Sequence, residues 1–479
     1  MVLGTSSGAG KSWLAAALCR YYARQGLKVA PFKAQNMSNN ARVVPDLQGG
    51  FGEIGSAQYH QALAARALPS VLMNPVLLKP EADTRSQVVL LGKVDTALGA
   101  TPWRERSEKV WPRVAEAFDK LREDNDVIVI EGAGSPAEIN LADSDFTNMR
   151  IALHADARCM LVSDIDRGGA FAHLYGTWAL LREDARSLIR GFVLNKFRGN
   201  ESLLPPAPQM LEELTGVPVV ATIPFIREHG LPEEDGVFDD STRADVDAEG
   251  TALTIAVIAY PRISNLDEFE PLKHVHGVRL VWARTPADCA GADWIVLPGS
   301  KHTSSDLAWL RAQRLDTVVA QHAADGRAVL GVCGGLQMLG EALVDPHGID
   351  GNAPGLGLLP LVSVFDPHKT VLRTSSRFGD VQGKWRALSN VEVQGYEIHH
   401  GRTAPHPAMQ AGREVMPQLA WQNAQGNVLG VYVHGLLEDP RVMRALFGAA
   451  APSLDAVFDR LADVVQARFR AGFLDGLVE

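Results

Sequence analysis

The sequence predicts an α/β protein built from two doubly wound domains in tandem, the first with a mostly parallel sheet. One observation is the length of 479 residues, which is too long for one ordinary domain. A second is the alternation of short, continuously apolar runs with longer helical patterns, which is typical of parallel sheets covered on both faces. The third is an acidic stretch at 227–250, after which the alternation starts again.

Runs rich in valine and isoleucine mark the strands of both domains. The predicted strands are Val127–Ile130, Cys159–Val162, Gly191–Leu194 and Val217–Ile223, and then Thr254–Tyr260, Val278–Ala283, Trp294–Leu297 and Ala328–Val332. The acidic, glycine-containing stretch between the two groups predicts a linker. We therefore expect a first domain at 1–227, a linker at 228–250, a second domain at 251–450 and a terminal amphipathic helix within 451–479.

Composition excludes several classes of protein. A formal net charge of −10 without any basic run argues against binding to nucleic acid, because phosphate backbones require clustered lysine and arginine. The four cysteines are scattered and form no C-x-x-C pair, which fits a reducing compartment. No apolar run approaches the roughly 18 residues of a membrane span, and no signal peptide is visible. We expect a cytoplasmic protein with small-molecule partners, for which an oligomer stays possible.

The segment Gly4–Ser12 has the pattern of a phosphate-binding loop. It follows an apolar stub and precedes a helical run, the order that such a loop requires. Glycines such as Gly8 and Gly10 let backbone N–H groups turn inward around phosphates, and the helix N-terminus adds positive potential. Lys11 is predicted to reach the β- and γ-phosphates and the Ser12 hydroxyl to bind Mg²⁺. The alternative is a glycine-rich turn before a buried helix.

The loop resembles the variant G-T-x-x-G-x-G-K-[ST] of dethiobiotin synthetase and its relatives, with Thr5 in place of the usual first glycine. The resemblance implies that ATP makes an acyl or carbamate phosphate. Glu131 ends the next apolar strand, at the end that faces the ligand crevice of a parallel sheet. By resemblance it coordinates Mg²⁺, although it could also be a solvated glutamate. Asn195 and Lys196 resemble the adenine-reading pair of these ATPases.

A second candidate site is centred on Cys333. This cysteine stands at a predicted strand-to-helix turn flanked by glycines, which exposes the thiol while the helix dipole favours the reactive thiolate. The N–H of Gly334 would help to form an oxyanion hole. His434 ends another apolar strand and would be the general base needed to cleave the glutamine amide through a thioester. The alternative is an inert buried cysteine.

This second half resembles class I glutamine amidotransferases, in which the cysteine also precedes the histidine. That class commonly carries a glutamate two residues after the histidine, where this chain has Leu436. Two acids follow at other offsets, Glu438 and Asp439, so the group that orients the histidine stays open. Gly299 and Ser300, at another strand end, resemble the second oxyanion-hole loop of the subgroup.

Six motifs along the chain together resemble the cobyric acid synthase family of cobalamin biosynthesis. They are Lys33–Asn40, Gly52–Gln58, Met73–Pro80, Asp166–Phe171, Asn195–Gly199 and Gly395–Gly401. The resemblance covers nearly the whole chain. It implies amidation of the b, d, e and g carboxylates of adenosylcobyrinic acid a,c-diamide, driven by ATP with Mg²⁺ and supplied with ammonia from glutamine.

The resemblance also implies further site residues. Asp46 is a candidate Mg²⁺ ligand, although Leu47–Phe51 lengthens the join that follows it in the family. The candidate residues for binding the corrinoid and its carboxylates are Lys33, Gln35, Asn36, Lys79, Arg85, Asp166 and Arg167.

Other functions stay open at this point. Cobyrinic acid a,c-diamide synthase has a similar layout but usually carries a Lys-x-Gly-Pro-Asp-type stretch where this chain has Lys33–Ser38. An enzyme that amidates peptidoglycan precursors has a similar glutaminase. A partitioning-type ATPase switch with a binding-only amidotransferase module is the non-enzyme alternative, and it predicts ATP turnover without amide formation.

Overall fold

The computed structural model of the chain describes residues 1–82, 85–226, 229–232, 253–406, 412–448 and 453–479. Nearly all of the predicted linker at 228–250 lies outside the described residues, as do the predicted domain limits at 251 and 451. Among the helices of these described ranges, none combines the length and the apolar character that crossing a bilayer requires.

Parallel strands form the centre of the first half. Four of them lie side by side in the order Val2–Gly4, Cys159–Asp164, Ile189–Phe197 and Val219–Pro224. Two more, Val29–Phe32 and Val127–Ile130, pair in parallel with each other, and a parallel bridge between Val2 and Glu131 joins them to the four. The carboxyl ends of all these strands therefore meet at one edge, where a ligand crevice is expected.

Helices cover these strands, and a smaller layer of short strands extends them. The α-helices of this half are Lys11–Arg24, Ser56–Ala64, Thr96–Ala100, Trp103–Asp124, Met149–His154, Ala170–Leu180, Glu183–Arg186 and Ala207–Thr215. The smaller layer, which the sequence did not predict, has a mixed sheet of Gln35–Met37, Val76–Ala82, Arg85–Leu90 and Lys93–Val94, in which the first two strands are parallel and the later pairs antiparallel. It also has an antiparallel hairpin of Ala41–Pro45 with Phe51–Gly55.

The second half contains a seven-stranded sheet. Its order is Val278–Ala283, Leu253–Ile258, Trp294–Leu297, Ala328–Val332, Val428–Val431, Ala420–Gln422 and Arg413–Met416, of which the first five are parallel. The α-helices of this half are Thr303–Ala312, Leu315–Ala324, Gly334–Leu339 and Pro440–Phe447. The α/β class with two parallel-stranded halves is thus confirmed.

Most predicted strands differ from the observed ones only at their ends. The strand predicted at Gly191–Leu194 runs over Ile189–Phe197, and the one predicted at Cys159–Val162 continues to Asp164. The added residues that directly follow each predicted end are polar, Ser163 and Asp164 in one strand and Asn195 and Lys196 in the other, so hydropathy alone places the end of each strand too early. They still join the backbone ladder, which carries Asp164 and Asn195 to the ligand edge.

A long hairpin connects the two halves. Its strands, Leu361–Arg377 and Glu392–Pro405, form a small sheet with Ala342–Val344 and Ala353–Pro354. The hairpin packs on the first half, where Arg373 Nε donates to the carbonyl of Val43 at 3.3 Å.

The end of the chain returns to the first half. Helix Leu454–Arg468 lies within the tail where a terminal amphipathic helix is expected, packs against Lys11–Arg24 and is capped by Ser453. The buried side chain of Arg20 forms an ion pair with the exposed Asp455, and the Tyr22 hydroxyl donates to the carbonyl of Leu474 at 2.8 Å. The apolar residues of this tail share one buried cluster with those of the first helix.

Candidate active sites

Glycines allow the phosphate loop, Gly4–Ser12, to close tightly. Gly8 and Gly10 have φ angles of 72° and 95°, the left-handed region that glycine adopts without strain. A β-carbon at Gly10 would also lie 2.1 Å from the side-chain nitrogen of Asn195, so no larger residue fits there. The loop therefore depends on glycine for both conformation and space.

Two polar side chains of the loop are held by neighbouring groups. Lys11 Nζ donates to the carbonyls of Ser6 at 3.0 Å and Gly134 at 3.1 Å, so its ammonium group lies across the loop. The Thr5 hydroxyl donates to the hydroxyl of Ser163 at 3.1 Å, at the end of the adjacent strand.

Glu131 is the centre of a buried polar group beside the loop. Its Oε1 accepts from Ser12 Oγ and from Lys33 Nζ, each at 2.8 Å, and its Oε2 accepts from Gln61 Nε2 at 2.6 Å. Burial opposes ionisation of this carboxyl, but the charge of Lys33 and these hydrogen bonds outweigh it and lower its pKa. The residue is an ionised, oriented carboxylate next to the loop serine.

Asn195 and Lys196 occupy different positions relative to the loop. Asn195 is buried, and its Nδ2 donates to the carbonyl of Ala9 at 2.8 Å. Lys196 Nζ lies 3.2 Å from Asp164 Oδ2 at the end of the neighbouring strand. The Asn195 side chain thus stabilises the backbone of the phosphate loop, while Lys196 is partly exposed at the ligand edge.

The predicted substrate residues lie in three places, of which the first is buried near Glu131. Lys33 pairs with Glu131 directly, and Gln35 and Asn36 follow it on the short strand Gln35–Met37. Both are buried, with exposed fractions of 8% and 4%. This group includes the expected neighbours of a carboxylate that is activated at the phosphate loop.

The second group lies farther out. Arg167 is 78% exposed and stands 3.7 Å from Asp164, while Asp166 pairs with Arg198 at 3.0 Å. Arg85 is exposed and pairs with Glu81 at 3.1 Å. These side chains lie outside the Glu131 group.

Asp46 stands in the turn of the hairpin formed by Ala41–Pro45 and Phe51–Gly55. It accepts backbone hydrogen bonds from Gln48 and Gly50 and pairs with Lys93 at 2.9 Å, a hydrogen bond that lowers its pKa. No contact found among the described residues joins Asp46 to Ser12 or Glu131, so the geometry does not bring this acid to the other candidate Mg²⁺ ligands.

Lys79 belongs to a buried charge cluster between the two halves. Its Nζ lies 2.6 Å from Glu53 Oε2, and Lys369 of the long hairpin lies 2.5 Å from Glu53 Oε1. Burial disfavours the Glu53 carboxylate, but the two ammonium groups outweigh this and hold its pKa below the usual range. Burial lowers the pKa of Lys369 to about 7, against the attraction of Glu53. Lys79 is therefore engaged in joining the halves.

Cys333 occupies a sharp turn between strand Ala328–Val332 and helix Gly334–Leu339. Its φ is 50° and ψ −104°, an unusual conformation for a residue with a side chain. A β-carbon at Gly335 would lie 1.9 Å from the carbonyl oxygen of Leu297, so the turn requires glycine after the cysteine. The thiol donates to the carbonyl of Ile398 at 3.7 Å. The sequence-predicted elbow is present.

His434 adjoins this thiol and is oriented by a glutamate that the sequence did not reveal. The His434 imidazole lies close enough to the Cys333 thiol for the two groups to interact electrostatically. Its Nδ1 lies 3.1 Å from Glu268 Oε1, while Glu268 Oε2 accepts from the N–H of Gly435 at 2.9 Å. Burial disfavours the imidazolium, but the charges of Glu268 and Cys333 outweigh it and raise the pKa of His434 to about 10.

The predicted oxyanion-hole residues lie together beside Cys333. Gly299 and Ser300 form a short strand that pairs with Ile263–Ser264. A β-carbon at Gly334 would lie 2.8 Å from the backbone nitrogen of Ser300, so the backbones of these two residues are in close contact. Such an arrangement of donors suits a tetrahedral oxyanion.

Glu268 lies in the short helix Leu266–His274, after the first strand of the second half and 166 positions before His434. The orienting acid is therefore not one of the acids that closely follow the histidine in sequence, Glu438 and Asp439. The sequence signal that marks this region is a group of acids, Asp267, Glu268 and Glu270, that begins a few residues after the predicted strand Thr254–Tyr260.

Family models of known proteins match the two halves of the chain separately. Residues 1–234 match a family model described as the CobQ/CobB/MinD/ParA nucleotide binding domain, and residues 254–442 match the CobB/CobQ-like glutamine amidotransferase domain. A protein named cobyric acid synthase from Variovorax paradoxus (strain S110) is 72% identical over all of this chain and 98% of its own length.

Further relatives carry the same name. The protein from Acidovorax ebreus (strain TPSY) is 70% identical over 100% of this chain and 98% of its own length. That from Leptothrix cholodnii is 61% identical over 100% of this chain and 96% of its own. Among solved structures, a glutamine amidotransferase aligns with 45% of this chain and all of its own at 17% identity, with a TM-score of 0.31.

Proposed function

Because this chain belongs to the cobyric acid synthase family of glutamine-dependent, ATP-using amidating enzymes, we propose that it amidates the b, d, e and g carboxylates of adenosylcobyrinic acid a,c-diamide. The observation that carries the proposal is the presence of two complementary sites in one chain. One is a phosphate loop with an ionised acid beside it, and the other is a Cys333–His434–Glu268 arrangement.

The synthetase step activates the carboxylate, because a carboxylate does not react with ammonia at neutral pH. A carboxylate oxygen attacks the γ-phosphorus of ATP, ADP leaves, and an acyl phosphate forms. Lys11 stabilises the charge that develops on the transferred group. Ammonia then displaces phosphate and leaves the amide.

Ser12 and Glu131 fit the Mg²⁺ that this chemistry uses. The hydroxyl and the carboxylate lie 2.8 Å apart, and both are oxygen ligands of the kind that Mg²⁺ prefers. When bound, Mg²⁺ would neutralise phosphate charge. Asp46, which lies elsewhere, is not part of this proposed pair.

The glutaminase step supplies the ammonia. The Cys333 thiolate attacks the side-chain amide carbon of glutamine, and His434 gives its proton to the departing ammonia, which leaves a thioester for water to cleave. The N–H groups of Gly334 and Ser300, with Gly299 next to them, stabilise the oxyanion. Glu268 holds the imidazole in place.

Transfer of ammonia between the halves is supported by the position of Ile398. Its carbonyl accepts from the Cys333 thiol, while its side chain packs on the apolar cluster of Ala41, Leu77 and Val89 in the first half. Leu77 pairs with Asn36 across two strands. A single residue therefore separates the thiol from the strands that carry the substrate candidates, and a shielded route would protect the acyl phosphate from water.

The domain division belongs to the same proposal. Residues 1–227 form the ATP-dependent synthetase, 228–250 the linker, 251–450 the amidotransferase and 451–479 a terminal helix. The partners are the corrinoid, glutamine and ATP, with no nucleic acid or membrane, and the enzyme works in the cytoplasm.

Mass spectrometry of the corrinoid after incubation with ¹⁵N-amide glutamine and MgATP tests the proposal. We expect one labelled nitrogen at each of the b, d, e and g positions, and none without ATP. Cobyrinic acid is offered in a parallel reaction. Label at its a and c positions would instead indicate the diamide synthase, and ATP hydrolysis without any label would indicate a switch ATPase.

A further inference from the structure

Arg42, on strand Ala41–Pro45 of the first half, binds acids of the second half. Its Nη1 and Nη2 donate to the two carboxylate oxygens of Glu438 at 2.7 and 2.6 Å, and Nη2 also donates to Asp267. The guanidinium is almost wholly buried, with its side chain 3% exposed. Such a forked contact fixes direction as well as distance.

Each carboxylate bound by Arg42 lies next to the machinery that orients His434. Asp267 directly precedes Glu268, whose two oxygens hold the imidazole and the N–H of Gly435. Glu438 ends the short helix that begins after Gly435, and its N–H donates to the Gly435 carbonyl at 3.0 Å. The Arg42 guanidinium thus binds both the residue that precedes Glu268 and the acid whose N–H contacts Gly435.

Arg42 also contacts the face of the histidine through an aromatic ring. The guanidinium carbon lies 5.2 Å from the centre of the Tyr396 ring, and that ring stacks on His434 at 5.4 Å with an interplanar angle of 21°. Tyr396 and His434 exchange backbone hydrogen bonds of 2.9 and 3.2 Å.

Two further contacts fix the same segment to the first half. The N–H of Ala41 donates to Asn265 Oδ1 at 3.0 Å, and the N–H of Leu266 donates to Asn40 Oδ1 at 3.0 Å. The segment that carries Glu268 is therefore positioned by Asn40 and Ala41 of the first half, rather than by the second half alone.

The opposite side of Arg42 leads to Glu131. Arg42 Nε donates to the hydroxyl of Ser56 at 3.3 Å, and Ser56 begins the helix whose Gln61 donates to Glu131. Lys33, nine residues before Arg42, binds the same carboxylate. Both the strand segment and the helix join the phosphate-loop acid to the guanidinium.

We propose that Arg42 is a positioning residue that aligns Glu268 and His434 for glutamine hydrolysis and makes this alignment depend on occupancy of the synthetase site. The inference rests on the proposed function. It gives the rate of ammonia release a physical dependence on ATP and corrinoid, through rigid elements that contact both sites. The contacts of Arg42 are to residues that support the histidine and to Ser56, so we expect its effect on kcat.

The test compares glutamine hydrolysis with and without MgATP plus corrinoid in the wild type, Arg42→Lys and Arg42→Met. In the wild type, these ligands are expected to raise kcat. In both variants kcat is expected to fall about 30-fold or more, as expected for misplaced catalytic groups. The KM for glutamine stays within about 3-fold and the stimulation disappears. Ammonium-driven amidation stays near the wild-type rate, because Glu131, Lys33 and the phosphate loop are unchanged.

Arg373→Met is the matched control, since Arg373 also crosses between the halves but donates to the backbone carbonyl of Val43. It should retain both rate and stimulation. Glu438→Gln keeps Arg42 paired with Asp267, so it provides a second, milder loss of alignment if Arg42→Met fails to fold.

Wild-type kcat and stimulation in Arg42→Lys would overturn the inference, as would a wild type without stimulation. An equal loss of glutamine- and ammonium-driven amidation in the folded variants would overturn it too. Failure of the proposed function looks different, because the wild type would then amidate no corrinoid with either nitrogen donor.

Discussion

The protonation of His434 depends on the carboxylate of Glu268. That carboxylate lies 3.1 Å from Nδ1 and favours the imidazolium, so the pKa of His434 is raised to about 10 despite its burial. The imidazolium of His434 should therefore persist to alkaline pH, and glutamine hydrolysis should decline as His434 loses its proton. The alkaline limb of the pH profile is thus set by this glutamate.

We expect Glu268→Gln to lower kcat for glutamine hydrolysis about 10²-fold, on the scale of impaired proton transfer. Without the negative charge, the imidazolium loses stabilisation, its pKa falls, and the alkaline limb of kcat/KM moves to lower pH. Glu270→Gln is the control, because Glu270 lies in the same short helix and pairs with Lys273 instead. An unchanged alkaline limb in Glu268→Gln would contradict the assigned role.

Cys333 separates the two half-reactions. Cys333→Ala should abolish glutamine-driven amidation and leave ammonium-driven amidation near the wild-type rate, since the synthetase site needs only ammonia. Corrinoid amidation with each nitrogen donor measures this directly. Cys289→Ala, which changes another buried cysteine of the same half, should retain both activities. Equal loss of both in Cys333→Ala would show that the domain assignment is wrong.

Sequence patterns predict the residues that stand in short contiguous motifs. Lys11, Ser12, Cys333 and His434 all occur at a strand end or strand-to-helix turn, where apolar runs and glycines are visible in the sequence. Glu268 and Arg42 could not be found in this way. Their partners lie 166 and 225 positions away, and a buried acid has no local pattern that distinguishes it from a solvated one.

The short strand Gln35–Met37 continues from the residue that binds Glu131 and is buried on the side of the site. Asn36 lies opposite Leu77 on the adjacent parallel strand, and Leu77 packs with Ile398 of the amidotransferase half. An amide at this place can position the carboxylate that is to be phosphorylated, where small displacements are costly in rate.

Asn36→Ala is expected to lower corrinoid amidation about 10²-fold with either nitrogen donor, on the scale of lost positioning. Glutamine hydrolysis by Cys333 should persist. Steady-state rates of both reactions check this, with Asn125→Ala as control because Asn125 donates to the carbonyl of Leu121 at a helix end. A near-normal amidation rate in Asn36→Ala would remove this residue from the site.

The short strands of the smaller layer in the first half show where prediction at this scale fails. Strands such as Gln35–Met37 and Ala41–Pro45 are short and contain polar residues, so they lack both the apolar run and the alternation that mark a strand. Ala41–Pro45 is stabilised by tertiary contacts with the long hairpin, and Gln35–Met37 by pairing with Val76–Ala82, rather than by their own sequence patterns. Their absence from the sequence-based prediction has this physical cause.

At the scale of the whole molecule, the terminal helix and the first helix share one core. Phe458 is 1% exposed, and the guanidinium carbon of Arg20 lies 5.4 Å from the centre of its ring. Truncating it leaves a cavity directly behind the helix that begins in the phosphate loop.

Phe458→Ala should destabilise the first half by about 3–5 kcal/mol, the usual cost of this truncation in a core. Denaturant titration should abolish ammonium-driven amidation at a lower concentration than in the wild type. Gln466→Ala, an exposed change on the same helix, should alter stability by no more than about 0.5 kcal/mol. An unchanged denaturation midpoint in Phe458→Ala would contradict the contribution of this side chain to the core behind the phosphate loop.

The return of the chain to its first helix also imposes an order on biosynthesis. The ribosome makes the phosphate loop first, yet the core behind that loop stays incomplete until Leu454–Arg468 has emerged. By then the segments that carry Glu268, Cys333 and His434 have all been translated. A nascent chain has thus translated every segment of its glutaminase site before it can finish folding the half that consumes ATP. A prematurely terminated polypeptide therefore has no finished synthetase site. It cannot make an acyl phosphate that, without ammonia, would only be hydrolysed by water.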